Sequence, residues 1–250
     1  MTRTEVRART GQVGLRDGVR AELTKLRTLP VVWAALAGVV VVNTALGVVV
    51  AADALRIAGA DGGGVPIERF GTLLLAPVYL FLVIPVFASG SEYRNGQLRV
   101  TLAATPRRGE LFAAKLVVTT AAVLVAAVVA LVPGHLARHA GAGAATGELL
   151  LRIAVYAALG LIGFGSGFVA KGVATPLAVL FALPVAVSPA LRGGYPEVVR
   201  FLPHEVSLSL LRAPASPDTA LAPGVAAVVL AAWVVVFLVA GVVSLVRRDS

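Results

Sequence analysis

Apolar residues in this chain fall into six blocks of about 20, parted by shorter polar or basic stretches. At roughly 1.5 Å per residue, such a block crosses the ~30 Å hydrocarbon core of a bilayer as one helix. The blocks are continuous and do not alternate polar with apolar, so they predict helices and exclude barrel strands. They run from Val31 to Ala52, Phe70 to Ser89, Leu111 to Val132, Leu149 to Val169, Thr175 to Pro189 and Leu221 to Val246. Pro77 and Pro85 interrupt the second. The fifth is the shortest and carries Pro176 and Pro184. The fold class predicted is an all-α membrane protein with six transmembrane helices in one domain.

Ahead of the first block the pattern changes. Residues 1–14 are a polar tail, and 15–29 have helical periodicity. At about 100° per residue, Leu15, Val19, Leu23, Leu26 and Leu29 share one face. Arg16, Arg20 and Arg27 share another, with Lys25 at the flank. This is the pattern of an amphipathic helix lying on a membrane surface. Glu22 falls inside the apolar stripe, where a carboxylate needs a partner. A basic side chain from the 90–110 connection, or from a protein docked there, would supply one; otherwise the carboxylate reaches water at the helix edge. The first block is too long for the core of a signal peptide, and its basic preface too long for the leading segment.

Composition agrees with the pattern. Hydrophobic residues make up 58% and charged residues 14%, and mean hydropathy is +0.90. The net charge of +9 is better explained by topology than by nucleic acid. With the N-terminus inside, cytoplasmic segments hold fifteen of the 22 basic residues and the other side seven. That asymmetry obeys the positive-inside rule and places both termini in the cytoplasm; the excess of arginine over lysine and the Ala, Val, Gly and Leu richness point to a GC-rich bacterial genome and so to a bacterial cell membrane. The exterior connections are then 53–69, 133–148 and 190–220. The last mixes prolines with apolar pairs and predicts short helices in the outer leaflet. With no cysteine there are no disulfides and no thiolate chemistry.

Several candidate chemistries fail on their spacing. Gly165-Ser-Gly-Phe-Val-Ala-Lys171-Gly172 lacks the second glycine and the hydroxyl of a phosphate loop. The chain is therefore expected to be no enzyme and to bind no cofactor of its own. His204-Glu205 begins like a zinc-protease helix, but Leu208 stands where a second histidine belongs. His135 and His139 are four apart and flank Arg138, which fits a solvated loop better than a metal site. Gly163 and Gly167, extended by Gly160, make a small-residue face suited to close helix packing. The spans hold few polar groups, Asn43 and Tyr156 among them, which disfavours ion-coupled transport and is compatible with an apolar or amphipathic cargo.

The connection from Ser89 to Lys115 carries the functional signal. It reads Glu92-Tyr-Arg94-Asn-Gly96-Gln97-Leu98-Arg99-Val-Thr-Leu102-Ala-Ala-Thr-Pro106-Arg107-Arg108. Asn95-Gly96 is a turn signal. Gln97 to Ala104 suits a short helix with Leu98 and Leu102 on one face, stopped by Pro106. A short, partly apolar helix held between two spans is suited to docking a soluble partner. The plainer alternative is a loop that only joins spans.

This string resembles the cytoplasmic loop of ABC type-2 export permeases, particularly the actinobacterial kind. Arg20-Ala-Glu22-Leu-Thr-Lys25-Leu-Arg27-Thr resembles the elbow helix before the first span of that family. With six spans, the resemblance covers nearly the whole chain. It implies that 97–104 is a coupling helix seated in a cleft of a separate ATPase subunit, which binds ATP and magnesium. It further implies a second permease copy, paired as a homodimer in membrane lipid, and export as the direction of transport. A membrane scaffold or sensor that recruits a partner through the same loop is the other reading the residues allow.

Overall fold

The computed structural model describes residues 15–58, 64–67, 70–96, 108–139 and 146–247. Among them, six helical stretches are long and apolar enough to cross a membrane: Pro30–Ala51, Gly71–Tyr93, Arg108–Arg138, Thr146–Val169, Ala174–Arg192 and Pro223–Arg247. The chain is an all-α, multi-pass membrane protein. A small antiparallel ribbon, β1 (Arg56–Ala58) with β2 (Gly64–Pro66), occupies the first-to-second connection and pairs Ile57 with Val65.

Helix α1 (Leu15–Thr28) and α2 (Pro30–Ala51, the first span) meet at a sharp bend. Pro30 pushes the preceding residue out of helical geometry, and Leu29 is extended at φ −84°, ψ 110°. The same proline then serves as a first helical residue. Thr28 Oγ1 donates to the carbonyls of Thr24 and Lys25. The Trp33 indole donates to the carbonyl of Arg27 at 2.8 Å. These bonds satisfy carbonyls that a helix end leaves open.

The second span is built of α3 (Gly71–Leu75), α4 (Pro77–Phe81) and α5 (Val83–Gly90), continued by a 3-10 turn over Ser91–Gly96. Pro77 and Pro85 remove backbone donors. The interruptions are tolerated because protein surrounds this span: 61% of its apolar stretch is buried, against 17% for the first, fifth and sixth spans.

Helix α6 (Arg108–Arg138) runs through Pro133 rather than stopping at Val132, so His135 and Arg138 stand on the helix and not in a loop. The reason lies at the next residue. A Cβ on Gly134 would sit 2.4 Å from the carbonyl oxygen of Asn43, and one on Gly47 would sit 2.2 Å from that of Gly134. Helices α2 and α6 thus cross backbone to backbone, and this contact supports the helix past its proline.

Helix α7 (Thr146–Val169) presents glycines to several neighbours. Gly160 faces Val123, Gly163 faces Leu82 and Val86, and Gly167 faces Ser89; Gly165 faces the carbonyl of Phe237 on α12 (Pro223–Arg247). The fifth span comprises α8 (Ala174–Ala182), a π turn at Leu183–Val187 holding Pro184, and α9 (Ser188–Arg192).

The 190–220 segment holds α10 (Pro196–Val199), α11 (Pro203–Leu210) and a 3-10 turn, Pro217–Thr219. The short helices expected in this segment form, and α11 is wrapped by protein. All of its residues are buried in protein, whereas Val198 of α10 is exposed. Two turns of helix leave most of their end groups unpaired, and lipid offers those groups nothing.

The first and last helices both pack on the start of α6 at one end of the bundle, here termed the terminal end. Gly18 packs on Ala114 of α6. Arg108 Nη1 donates to the carbonyl of Leu245 at 3.1 Å. Beneath this end lies an apolar cluster of Leu26, Phe112, Phe164, Phe168 and Leu245. The ribbon and α11 belong to the opposite, distal end.

Candidate functional site: a buried ion quartet at the terminal end

Four charged side chains from three separated elements meet above the aromatic cluster. Glu22 and Lys25 come from α1, Glu92 from the turn ending the second span, and Lys115 from the second turn of α6. Lys115 Nζ lies 2.7 Å from Glu22 Oε2 and 2.9 Å from Glu92 Oε1. Lys25 Nζ lies 3.0 Å from Glu22 Oε1 and 2.5 Å from Glu92 Oε1. Two carboxylates alternate with two ammonium groups, so the formal charges cancel.

Burial decides what the quartet is worth. Glu22, Glu92 and Lys115 are 6%, 4% and 2% exposed. Phe112 and Phe168, 5.2 Å apart between ring centres, help form the apolar layer beneath. Charges so placed persist only while paired and hydrogen-bonded. The Lys25 side chain is 44% exposed and forms the open side. Burial alone would lower its ammonium; the hydrogen bond and charge of Glu92, then those of Glu22, outweigh this and hold it above the ordinary lysine value. Glu92 Oε2 is buried without a hydrogen-bond partner among the described residues.

The arrangement is mechanical in character. It fastens α1 to the residues on both sides of the 97–107 segment.

Glu22 finds its partner in Lys115, a basic residue at the end of the Ser89–Lys115 connection, and in Lys25 one turn along its own helix. Arg27, also expected to belong to this region, is exposed and stays outside the quartet. Arg94 and Gly96 close the 3-10 turn. Gln97, Leu98, Arg99, Leu102, Pro106 and Arg107 lie outside the described residues. Gly160, Gly163 and Gly167 face the second and third spans, away from the quartet's chemistry. Lys115 is not singled out by sequence reasoning; the signal for its burial is its place inside the Leu111–Val132 block.

A second buried polar group lies at the distal end. Glu205 on α11 is 1% exposed. It accepts from Ser188 Oγ at 2.6 Å, Arg192 Nη2 at 2.8 Å and Thr219 Oγ1 at 3.3 Å. Next to it, His204 shares a hydrogen bond with Tyr79 of the second span. Burial pushes the His204 imidazole down to about 4, so it is neutral at ordinary pH. His135 and His139 pack with their rings tilted by 40° and ring centres 4.3 Å apart, next to Arg138, which pairs with Glu148 at 2.9 Å.

The string from Gly165 to Gly172 is the end of α7 and its cap. Lys171 adopts φ 51°, and Gly172 N–H donates to the carbonyl of Gly167, the pattern of a Schellman terminus. No protein-family model matches the chain, and no curated protein matches it.

Proposed function

We propose that this chain is the membrane subunit of an ATP-driven exporter of the ABC type-2 class, moving an apolar or amphipathic substrate. The carrying observation is the quartet. It joins α1 to both flanks of the 97–107 segment, where the resemblance puts the ATPase-docking helix. In this reading the terminal end faces the cytoplasm, in keeping with its basic residues. Closure of the ATPase pushes the docking helix, and the quartet passes the push to α1, the second span and α6 as one body. Rocking of these spans against the rest would open the far side. Two copies of the chain would pair, each holding one ATPase.

The test is co-purification from detergent with a co-expressed phosphate-loop ATPase from the neighbouring reading frames, followed by reconstitution in vesicles. The expected result is a complex whose ATPase rate depends on this chain, and which Leu98→Asp with Leu102→Asp disrupts. Absence of any bound ATPase, or binding that the double substitution leaves intact, refutes the assignment.

A further inference from the structure

An apolar groove of about 570 Å³ opens between α1, α2 and α6, within the roughly 300–1,000 Å³ typical of small-ligand sites. Its walls are aliphatic apart from Trp33 and Arg27. It exists because the apolar stripe of α1 is wider than the surface α6 covers: Leu26 is buried against the bundle, while Leu23 stays 45% exposed on the groove wall. Along α6 the groove runs from Val117 to Val129. At ~1.5 Å per residue that is about 18 Å, close to the ~15 Å depth of one leaflet's hydrocarbon. Trp33 is 54% exposed, and its indole holds the carbonyl of Arg27. Tryptophan favours the headgroup level of a bilayer, so Arg27 stands at that level too. Lys25 is engaged by Glu22 and Glu92, whereas Arg27 has no acidic partner among the described residues, and no acid lines the groove.

We propose that this groove holds an acyl chain of an anionic phospholipid from the leaflet at the terminal end, with the lipid phosphate against Arg27. The length of the groove matches one chain within one leaflet, and its lone cation sits where a headgroup begins. A second copy of the chain would press an apolar helix onto Arg27 and leave the guanidinium without a counter-charge. A phosphodiester supplies that charge and leaves the site wet. The lipid would complete the seat of α1, filling the side of the helix that α6 does not cover.

Native mass spectrometry of the detergent-purified chain tests this, using phosphatidylglycerol and phosphatidylcholine with identical acyl chains. The wild type should retain phosphatidylglycerol roughly fivefold better, the worth of one well-placed cation. Arg27→Gln should abolish that preference. Val125→Trp, at a groove position that is 65% exposed and outside the core, should lower retention of both lipids. Excess inorganic phosphate should not displace the bound lipid. Equal retention of the two lipids by the wild type overturns the proposal, as does undiminished retention by Val125→Trp. Conversion of a dimer to a monomer by Val125→Trp with lipid unchanged overturns it in favour of a second copy. Neither outcome bears on ATPase binding, which tests the transport reading separately.

Discussion

The Glu205 group and the quartet, two buried ionic groups among the described residues, differ in how far along the chain they reach. Glu205 draws its partners from Ser188, Arg192 and Thr219, all within about one connection. The quartet links residue 22 to residue 115 and residue 25 to residue 92. The first is a local staple: it keeps α11 wedged among the spans at the distal end. The second is a cross-brace: it makes three elements, distant in sequence, move together. A staple stabilises one conformation of one loop. A brace can transmit displacement, which is the property the proposed exporter reading requires at the terminal end. The same physics, a buried carboxylate matched by cations and hydrogen-bond donors, gives two different kinds of link according to where the partners sit.

The contrast is most directly broken at Lys115. Lys115→Met removes the fully buried cation and leaves Glu22 and Glu92 with only the half-exposed Lys25. Loss of one partner from a buried pair costs about 3–5 kcal/mol, expected as a steep fall in thermal stability in detergent. At the distal end, Glu205→Gln should cost less, about 2 kcal/mol, since the charge-assisted hydrogen bonds weaken but Arg192 is 26% exposed and can turn to water. Under the proposed exporter reading, Glu205→Gln should also leave ATPase binding untouched, whereas quartet variants that fold should weaken the coupling of ATPase rate to this chain. A larger stability loss from Glu205→Gln than from Lys115→Met would invert the comparison.

A smaller effect is expected where the two ends are joined by close packing. Gly134→Ala places a methyl 2.4 Å from the Asn43 carbonyl, so α2 and α6 must separate. Overpacking of this kind costs about 1–3 kcal/mol. Gly147→Ala, in the first turn of α7 with open space around its Cβ, should be neutral or slightly stabilising. Thermal unfolding of the two variants side by side checks the crossing; equal behaviour would mean that the backbones do not meet there.

Much of this architecture is legible in the pattern of residues. Apolar run length alone locates six spans, because lipid accepts few other solutions, and Pro30 marks the bend at Leu29. The path of α6 beyond Pro133 is not legible, since the support comes from Gly47, some 87 positions away in the chain. Nor is the burial of α11: its prolines and polar residues read as a surface segment, and only the surrounding spans make it an interior one. For the site, Glu22 announces a need for a partner by its place in the apolar stripe. The identity of that partner depends on how α1 lies against α6, and no local rule supplies that.

The smallest effect concerns the open side of the brace. Lys25 is held above its ordinary value of 10.5 by Glu92 and Glu22, against the pull of burial. A group whose folded value is raised stabilises the fold fully below its unfolded value, and that contribution is lost as pH rises through the folded value. The stability difference between the wild type and Lys25→Met should therefore be constant from about pH 7 to 9 and shrink only above about pH 10.5. Its size should be modest, because a side chain that is 44% exposed keeps much of its hydration. Added salt should weaken it further, while the contribution of Lys115, shielded above and below, should hardly change. A difference that already shrinks between pH 7 and 9 would mean that Lys25 gives up its proton early. Glu92 would then be held by Lys115 alone, and the link from α1 to the end of the second span would run through α6.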